Sequence, residues 1–281
     1  MWLAEFPGRE EKEAGYQDDY YSEGTATRFV GLFEGASLFF RWLRVRSILS
    51  LVPGPGAILD IGCGRGVMLG LFRKRGWRTL GTQLSKTAAE AARRLRGVEV
   101  VVGEMPDLGL PAGSFDVVTL FHVLEHLEEP FRYLTEARRV LSPSGLLVVE
   151  VPDHSGPGFR ILKERHLCVD HPNHLQFFTP DSLEAVFART GFRVASKKGF
   201  SLEYSPFTTL QNLLNLLPGE PNRFYRALMG NQAARTLRRE PATWLHFALA
   251  AALAIPAGIV SLSGLIFPGG NTIRYYCRPV N

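Results

Sequence analysis

Short apolar runs recur along this chain, separated by stretches with helical periodicity. Ala57-Ile58-Leu59 is the first run, and Val67, Met68, Leu69, Leu71 and Phe72 follow it at helical spacing. Thr79-Leu80-Gly81-Thr82, Val98–Val102, Phe115–Phe121 and Leu146–Val151 continue the series, with Thr87–Arg96 of helical composition between two of them. Gly191–Ser196 and Thr272–Cys277 read as a sixth and a seventh strand. Strands alternating with helices predict a parallel sheet covered by helices on both faces. Ligands of such sheets bind beyond the carboxyl ends of the strands.

The first of those ends carries Asp60-Ile61-Gly62-Cys63-Gly64-Arg65-Gly66. Strand, glycine turn, helix is a geometry in which backbone can approach a nucleotide-like ligand closely, because glycine has no Cβ. A dinucleotide fingerprint needs a third glycine where Val67 stands, which disfavours a nicotinamide-dependent oxidoreductase. The D-x-G-x-G-x-G pattern instead resembles the first motif of the class I S-adenosylmethionine-dependent methyltransferases. Later segments extend the resemblance: Gly103-Glu104-Met105, Ser114–Val118, Leu124-Glu125-His126, Arg139-Val140-Leu141 and Pro143–Leu147. Together they cover about residues 55–200 and are similar to the small-molecule group that includes the ubiquinone and menaquinone biosynthesis enzymes.

The resemblance implies an α/β, Rossmann-like seven-stranded sheet whose last strand runs antiparallel beside the sixth. It divides the chain into a helical cap (1–50), a cofactor-binding core (51–200), a helical, partly apolar insertion (201–270) and a returning strand (271–281). It places Asp60, Gly62, Cys63, Gly64 and Gly66 around the methionine end of S-adenosylmethionine, and Gln83 with Leu84 at the ribose. Glu104 and Met105 would frame the adenine, Phe121 and His122 would lie beside the sulfonium, and Tyr21 would close over the cofactor. Gln83 stands where the pattern usually has an acid; an amide still offers one acceptor and two donors. That replacement is also the one support for an alternative, a cofactor-binding scaffold without catalysis.

Six of the seven histidines fall between His122 and His174. Methyl transfer to a hydroxyl benefits from a base that is neutral near pH 7, which suits histidine. The candidates are His171 and His174, in a segment similar to one common in the methyltransferase group, and His126. Each could equally tether its loop through backbone bonds. His122-x-x-Glu125-His126 also matches a zinc-protease pattern, but that reading explains none of the surrounding motifs, and no metal is assigned. The expected acceptor is a small or lipid-linked molecule, with O-methylation favoured.

Composition narrows the partners. The 281 residues are 46% hydrophobic and 21% charged with net charge +5, and no basic run marks a nucleic-acid groove. Three separated cysteines suit reduced thiols in the cytoplasm, and the acidic Met1–Gly15 stretch does not read as a signal peptide. Between Pro241 and Ile273 there is no Asp, Glu, Lys or Arg, and Pro256 with Gly258 suits two short helices rather than one. That segment either packs on the sheet or dips into one leaflet as a hairpin. Arg223, Arg226, Arg235, Arg238 and Arg239 just upstream would then meet the inner face of a membrane, making 223–267 a candidate membrane surface.

Overall fold

The computed structural model describes residues 32–170, 173–229, 231–266 and 271–280. The strands are β1 (Ala57–Ile61), β2 (Arg78–Gln83), β3 (Glu99–Val102), β4 (Phe115–Phe121), β5 (Leu141–Pro152), β6 (Phe192–Lys198) and β7 (Thr272–Pro279). They form one seven-stranded sheet in the order β3-β2-β1-β4-β5-β7-β6. The pairings among β1 to β5 are parallel, while β7 is antiparallel to both β5 and β6. The fold is therefore the expected Rossmann-like α/β sheet with its antiparallel terminal strand.

Side-chain alternation divides the core between the two faces. On one face Leu59, Leu120, Val149 and Tyr275 pack with α4 (Pro130–Val140) and α6 (Pro180–Arg189). On the other, Ile58, Val117, Val148 and Tyr276 meet α1 (Leu32–Leu49), α2 (Val67–Arg73) and α3 (Lys86–Arg96). Local chemistry sets the helix ends. The Ser85 side chain accepts from Ala88 N to start α3, and Gly97 ends it in the left-handed region. Thr179 and Ser182 form a reciprocal capping box on α6. The short α5 (Pro157–Leu162) follows β5.

Between β6 and β7 the described residues contain α7 (Ser205–Leu214), α8 (Arg223–Ala227), α9 (Gln232–Leu237) and α10 (Pro241–Ser261). Leu214, Phe224, Leu228 and Ala250 give these helices a small core of their own. The two short helices expected from Pro256 and Gly258 are one: α10 runs through Pro256 for 21 residues before a 3-10 turn over Leu262–Leu265. Proline fixes a helical φ and removes only the bond to Ala252 O. Ala252 and Pro256 are both exposed, so the ring displaces no packed neighbour and the helix continues.

Candidate active site at the carboxyl edge of the sheet

The strand order reverses direction between β1 and β4, so the loops after these two strands flank a crevice. Gly62, Gly64 and Gly66 have φ of 69°, 54° and 66°, a run of left-handed backbone that only glycine adopts without strain. Gly62 N and Cys63 N both donate to Thr82 O, at 3.0 and 3.1 Å, which folds the loop across the end of β2. A Cβ at Gly62 would sit 2.5 Å from Val123 Cγ2, and one at Gly66 2.8 Å from Val98 Cγ2. Those two glycines thus serve close packing of loop on loop and helix on strand. Gly64 lies at the apex between them.

Asp60, buried at the end of β1, accepts from Thr119 Oγ1 at 2.7 Å. Burial pushes its pKa up to about 7, against the Thr119 bond and the Arg44 charge. A cation brought to it would recover the charged form. The glycine cradle and this carboxylate fit the amino-acid end of S-adenosylmethionine, whose ammonium supplies such a charge.

The other cofactor candidates are placed unevenly. Gln83 is buried, and its Oε1 accepts from Leu84 N at 2.8 Å, so the amide is folded back on its own backbone. Leu84 is exposed beside it. Glu104 is partly exposed, 3.8 Å from Arg132 Nη1. Met105 is fully buried within the core. Tyr21 and His171 lie outside the described residues.

Past β4, a row of side chains crosses four strands in register: Phe121 beside Glu150, Glu150 beside Arg274, Arg274 beside Lys198. Glu150 is fully buried, 2.5 Å from Arg274 Nε and 3.3 Å from Arg44 Nη2. Arg44, reaching down from α1, also bonds Glu203 at 2.5 Å and lies 4.0 Å over the Phe121 ring. Burial would raise the Glu150 pKa, but Arg274, Arg44 and His122 outweigh it and lower it. Nothing in the sequence series pointed to this network. Its one legible sign is an acid at the end of the apolar run Leu146–Val149, where a strand buried on both faces rarely carries a charge.

His122 takes a left-handed φ of 54° and donates its backbone N–H to Glu150 O. Its Nδ1 is 3.2 Å from Glu125 Oε1, its Nε2 3.4 Å from Glu150 Oε1, and its ring packs on Tyr204. Burial opposes the charged ring, but Tyr204, Glu125 and Glu150 prevail and hold its pKa well above the ordinary imidazole value. Glu125 is lowered to about 2, with burial overcome chiefly by His122.

His126 and His174 come together, rings 4.7 Å apart. His126 Nδ1 lies 2.9 Å from Asn173 O and His174 Nδ1 2.8 Å from Cys168 O. A carbonyl only accepts, so each Nδ1 carries a proton. Glu125 O accepts from Leu175 N and Gln176 N, which lays the 173–176 segment over the turn Leu124–His126. One ligating atom from each of Glu125, His126 and His174 lies within 4.8 Å of the others, a donor set chemically able to take a divalent ion. The zinc-protease pattern is not realised. His122 turns toward Glu150, His126 toward Asn173, and they share no helix face.

Comparison with known proteins agrees with this geometry. Residues 40–197 match the family model described as "Methyltransferase domain". A probable S-adenosylmethionine-dependent methyltransferase of Mycobacterium tuberculosis is 33% identical over 138 residues, covering 48% of each chain. The ubiquinone biosynthesis O-methyltransferase of a Caulobacter species is 30% identical over 166 residues, covering 54% of this chain and 64% of that one. Among solved structures, the cyclase SpnF superposes with a TM-score of 0.60 at 18% identity, over 98% of this chain and 95% of its own, a likeness of fold alone. The matches span between 31% and 48% of the first curated relatives' lengths. On its family match, its sheet and its glycine cradle, this chain belongs to the methyltransferase-domain family, with S-adenosylmethionine as the cofactor.

Proposed function

We propose that this protein transfers the methyl group of S-adenosylmethionine to an oxygen of a small-molecule or lipid-linked acceptor. The observation that carries the oxygen is His174, packed against His126, with its Nδ1 tied to the Cys168 carbonyl so that its Nε2 is the atom that can accept a proton. Burial lowers the His174 pKa and keeps that ring neutral at pH 7. The cofactor supplies an electrophilic methyl carbon on a sulfonium. His174 Nε2 would take the proton of the acceptor hydroxyl, and the products would be the O-methylated acceptor and S-adenosylhomocysteine. The protein's own work is alignment and exclusion of water. Asp60, Gly64 and Gln83 are assigned to holding the cofactor, with Phe121 and His122 beside its sulfur. The Caulobacter relative is an O-methyltransferase, which supports the same reading.

Calorimetry with S-adenosylmethionine and NAD tests the cofactor, and transfer of labelled methyl to a panel of phenols, quinone precursors and lipid-linked sugars tests the reaction. S-adenosylmethionine binding with label on oxygen is expected. His174→Asn is expected to lower kcat while leaving the S-adenosylmethionine Kd unchanged. Preference for NAD would overturn the reading. Tight S-adenosylmethionine binding with no acceptor methylated would favour the second reading, a cofactor-binding scaffold, for which the inward-folded Gln83 is the motivating observation.

A further inference from the structure

α10 and the turn after it form a segment, Pro241–Leu265, whose most apolar 18-residue window has mean hydropathy 2.0 and is only 22% buried. A core helix of this composition would be mostly covered. Here Trp244, Ile255 and Ile259 are 64%, 76% and 65% exposed, and Leu245, Val260 and Ile266 join them. Positions 244, 248, 255 and 259 follow helical spacing, so they make a stripe along α10, and nothing charged interrupts it. An uninterrupted apolar face of this length is an interaction surface.

Two observations identify what covers it. The first is charge. Exposed Arg235 and Arg239 stand before the amino end of α10. Lys198 lines a cavity shared with Leu265 beyond its carboxyl end, beside Lys197, which is paired with Glu184. Arg223, Arg226 and Arg238 are already engaged by Glu240, Glu220 and the carbonyls of Ala227 and Met229. An apolar stripe with cations at both ends complements an anionic lipid surface. The second is topology. α10 would be roughly 32 Å long at 1.5 Å per residue, enough to span a bilayer. Yet β7 resumes inside the sheet at Thr272, and the five residues between Ile266 and Thr272 reach at most about 18 to 22 Å. The helix must therefore lie in the membrane plane.

The cavity, about 570 Å³, lies just beyond the carboxyl end of α10, where Gly264 and Leu265 line it. Leu202 and Leu265 are at its lipid side, and Arg44 and Arg274, the partners of buried Glu150, are at its inner side. We propose that the exposed face of α10 seats the protein in the plane of an anionic bilayer, so that this cavity opens at the headgroup layer and receives an acceptor carried by lipid. The acceptor part rests on the methyltransferase reading; the seating does not.

The test uses the full chain with phosphatidylcholine vesicles, with and without phosphatidylglycerol, and measures S-adenosylmethionine affinity on the same samples. Sedimentation with the phosphatidylglycerol vesicles and release by salt are expected, with quenching by brominated lipid that disappears in Trp244→Phe. Arg235→Gln with Arg239→Gln should weaken partitioning about thirtyfold, at roughly one decade or less per charge. Ile255→Asp with Ile259→Asp should abolish it, with cofactor affinity unchanged in both variants. Because Ile255 and Ile259 are exposed, neither substitution removes core packing. A protein that stays in the supernatant at low salt overturns the proposal. So does one whose Ile255→Asp, Ile259→Asp variant turns from dimer to monomer while vesicle binding is unchanged, which would assign the face to a second copy. Resistance to alkaline carbonate overturns in-plane seating in favour of insertion. Loss of cofactor binding alone would defeat the methyltransferase reading and leave the seating intact.

Discussion

Asp60 holds a carboxylate where burial disfavours charge, and that makes cofactor binding depend on pH. Its folded pKa is raised to about 7. Below that value a proton must leave before an ammonium can pair with it, so S-adenosylmethionine affinity is expected to rise with pH up to about 7 and level off. Calorimetry in buffers of different ionisation enthalpy should show proton release at pH 6 and none at pH 8. Affinity independent of pH would sever Asp60 from the cofactor. Glu150 and Glu125 act oppositely on stability. Their folded pKa values are depressed, so the stability they contribute is present above the ordinary glutamate value and is lost as pH falls through the folded values. Glu150→Gln leaves Arg44 and Arg274 buried against a neutral amide and should cost about 3 to 5 kcal/mol in denaturant melts. If the Glu125–His126–His174 set works by proton transfer, chelators should leave turnover unchanged; a loss restored by a divalent ion would reassign it to metal binding.

Gly62, Gly64 and Gly66 were legible as a special loop because three alternate glycines between a strand and a helix leave no Cβ to keep a ligand away. The Arg44–Glu150–Arg274 network was not, since its contacts join residues 106 and 124 apart and no local pattern encodes such pairs. At Gly62 the structure sharpens the reading. Gly62→Ala combines left-handed strain of about 1 to 2 kcal/mol with a clash on Val123. Adding Val123→Ala should relieve the clash but not the strain, a partial recovery that thermal melts can resolve.

Among the elements, the strands were readable because β-branched runs two-sidedly buried have few other uses. α10 was misread as two helices because proline was taken as a break. Context decides otherwise, since Pro256 and Ala252 lie on the exposed face of the helix and the ring meets no packed neighbour. Pro256→Ala should therefore raise the melting temperature, by restoring one bond and removing up to about 3 kcal/mol of helix penalty. An unchanged or lower melting temperature would mean the helix is bent there to meet its surroundings.

For the whole molecule, alternation of elements implied the layers and the place of the site at the strand ends. The order of strands was not in any periodicity; it came with the family pattern. That order puts β7, late in the chain, between β5 and β6. β6 has no other partner in the sheet, and β5 has an open edge until β7 arrives. A ribosome delivers the chain from the amino end, so during synthesis both edges and the apolar helix before β7 are exposed together. Helper proteins that shield nascent chains would have their longest task here, and a stop before Thr272 should leave a product that aggregates rather than one that merely lacks a strand.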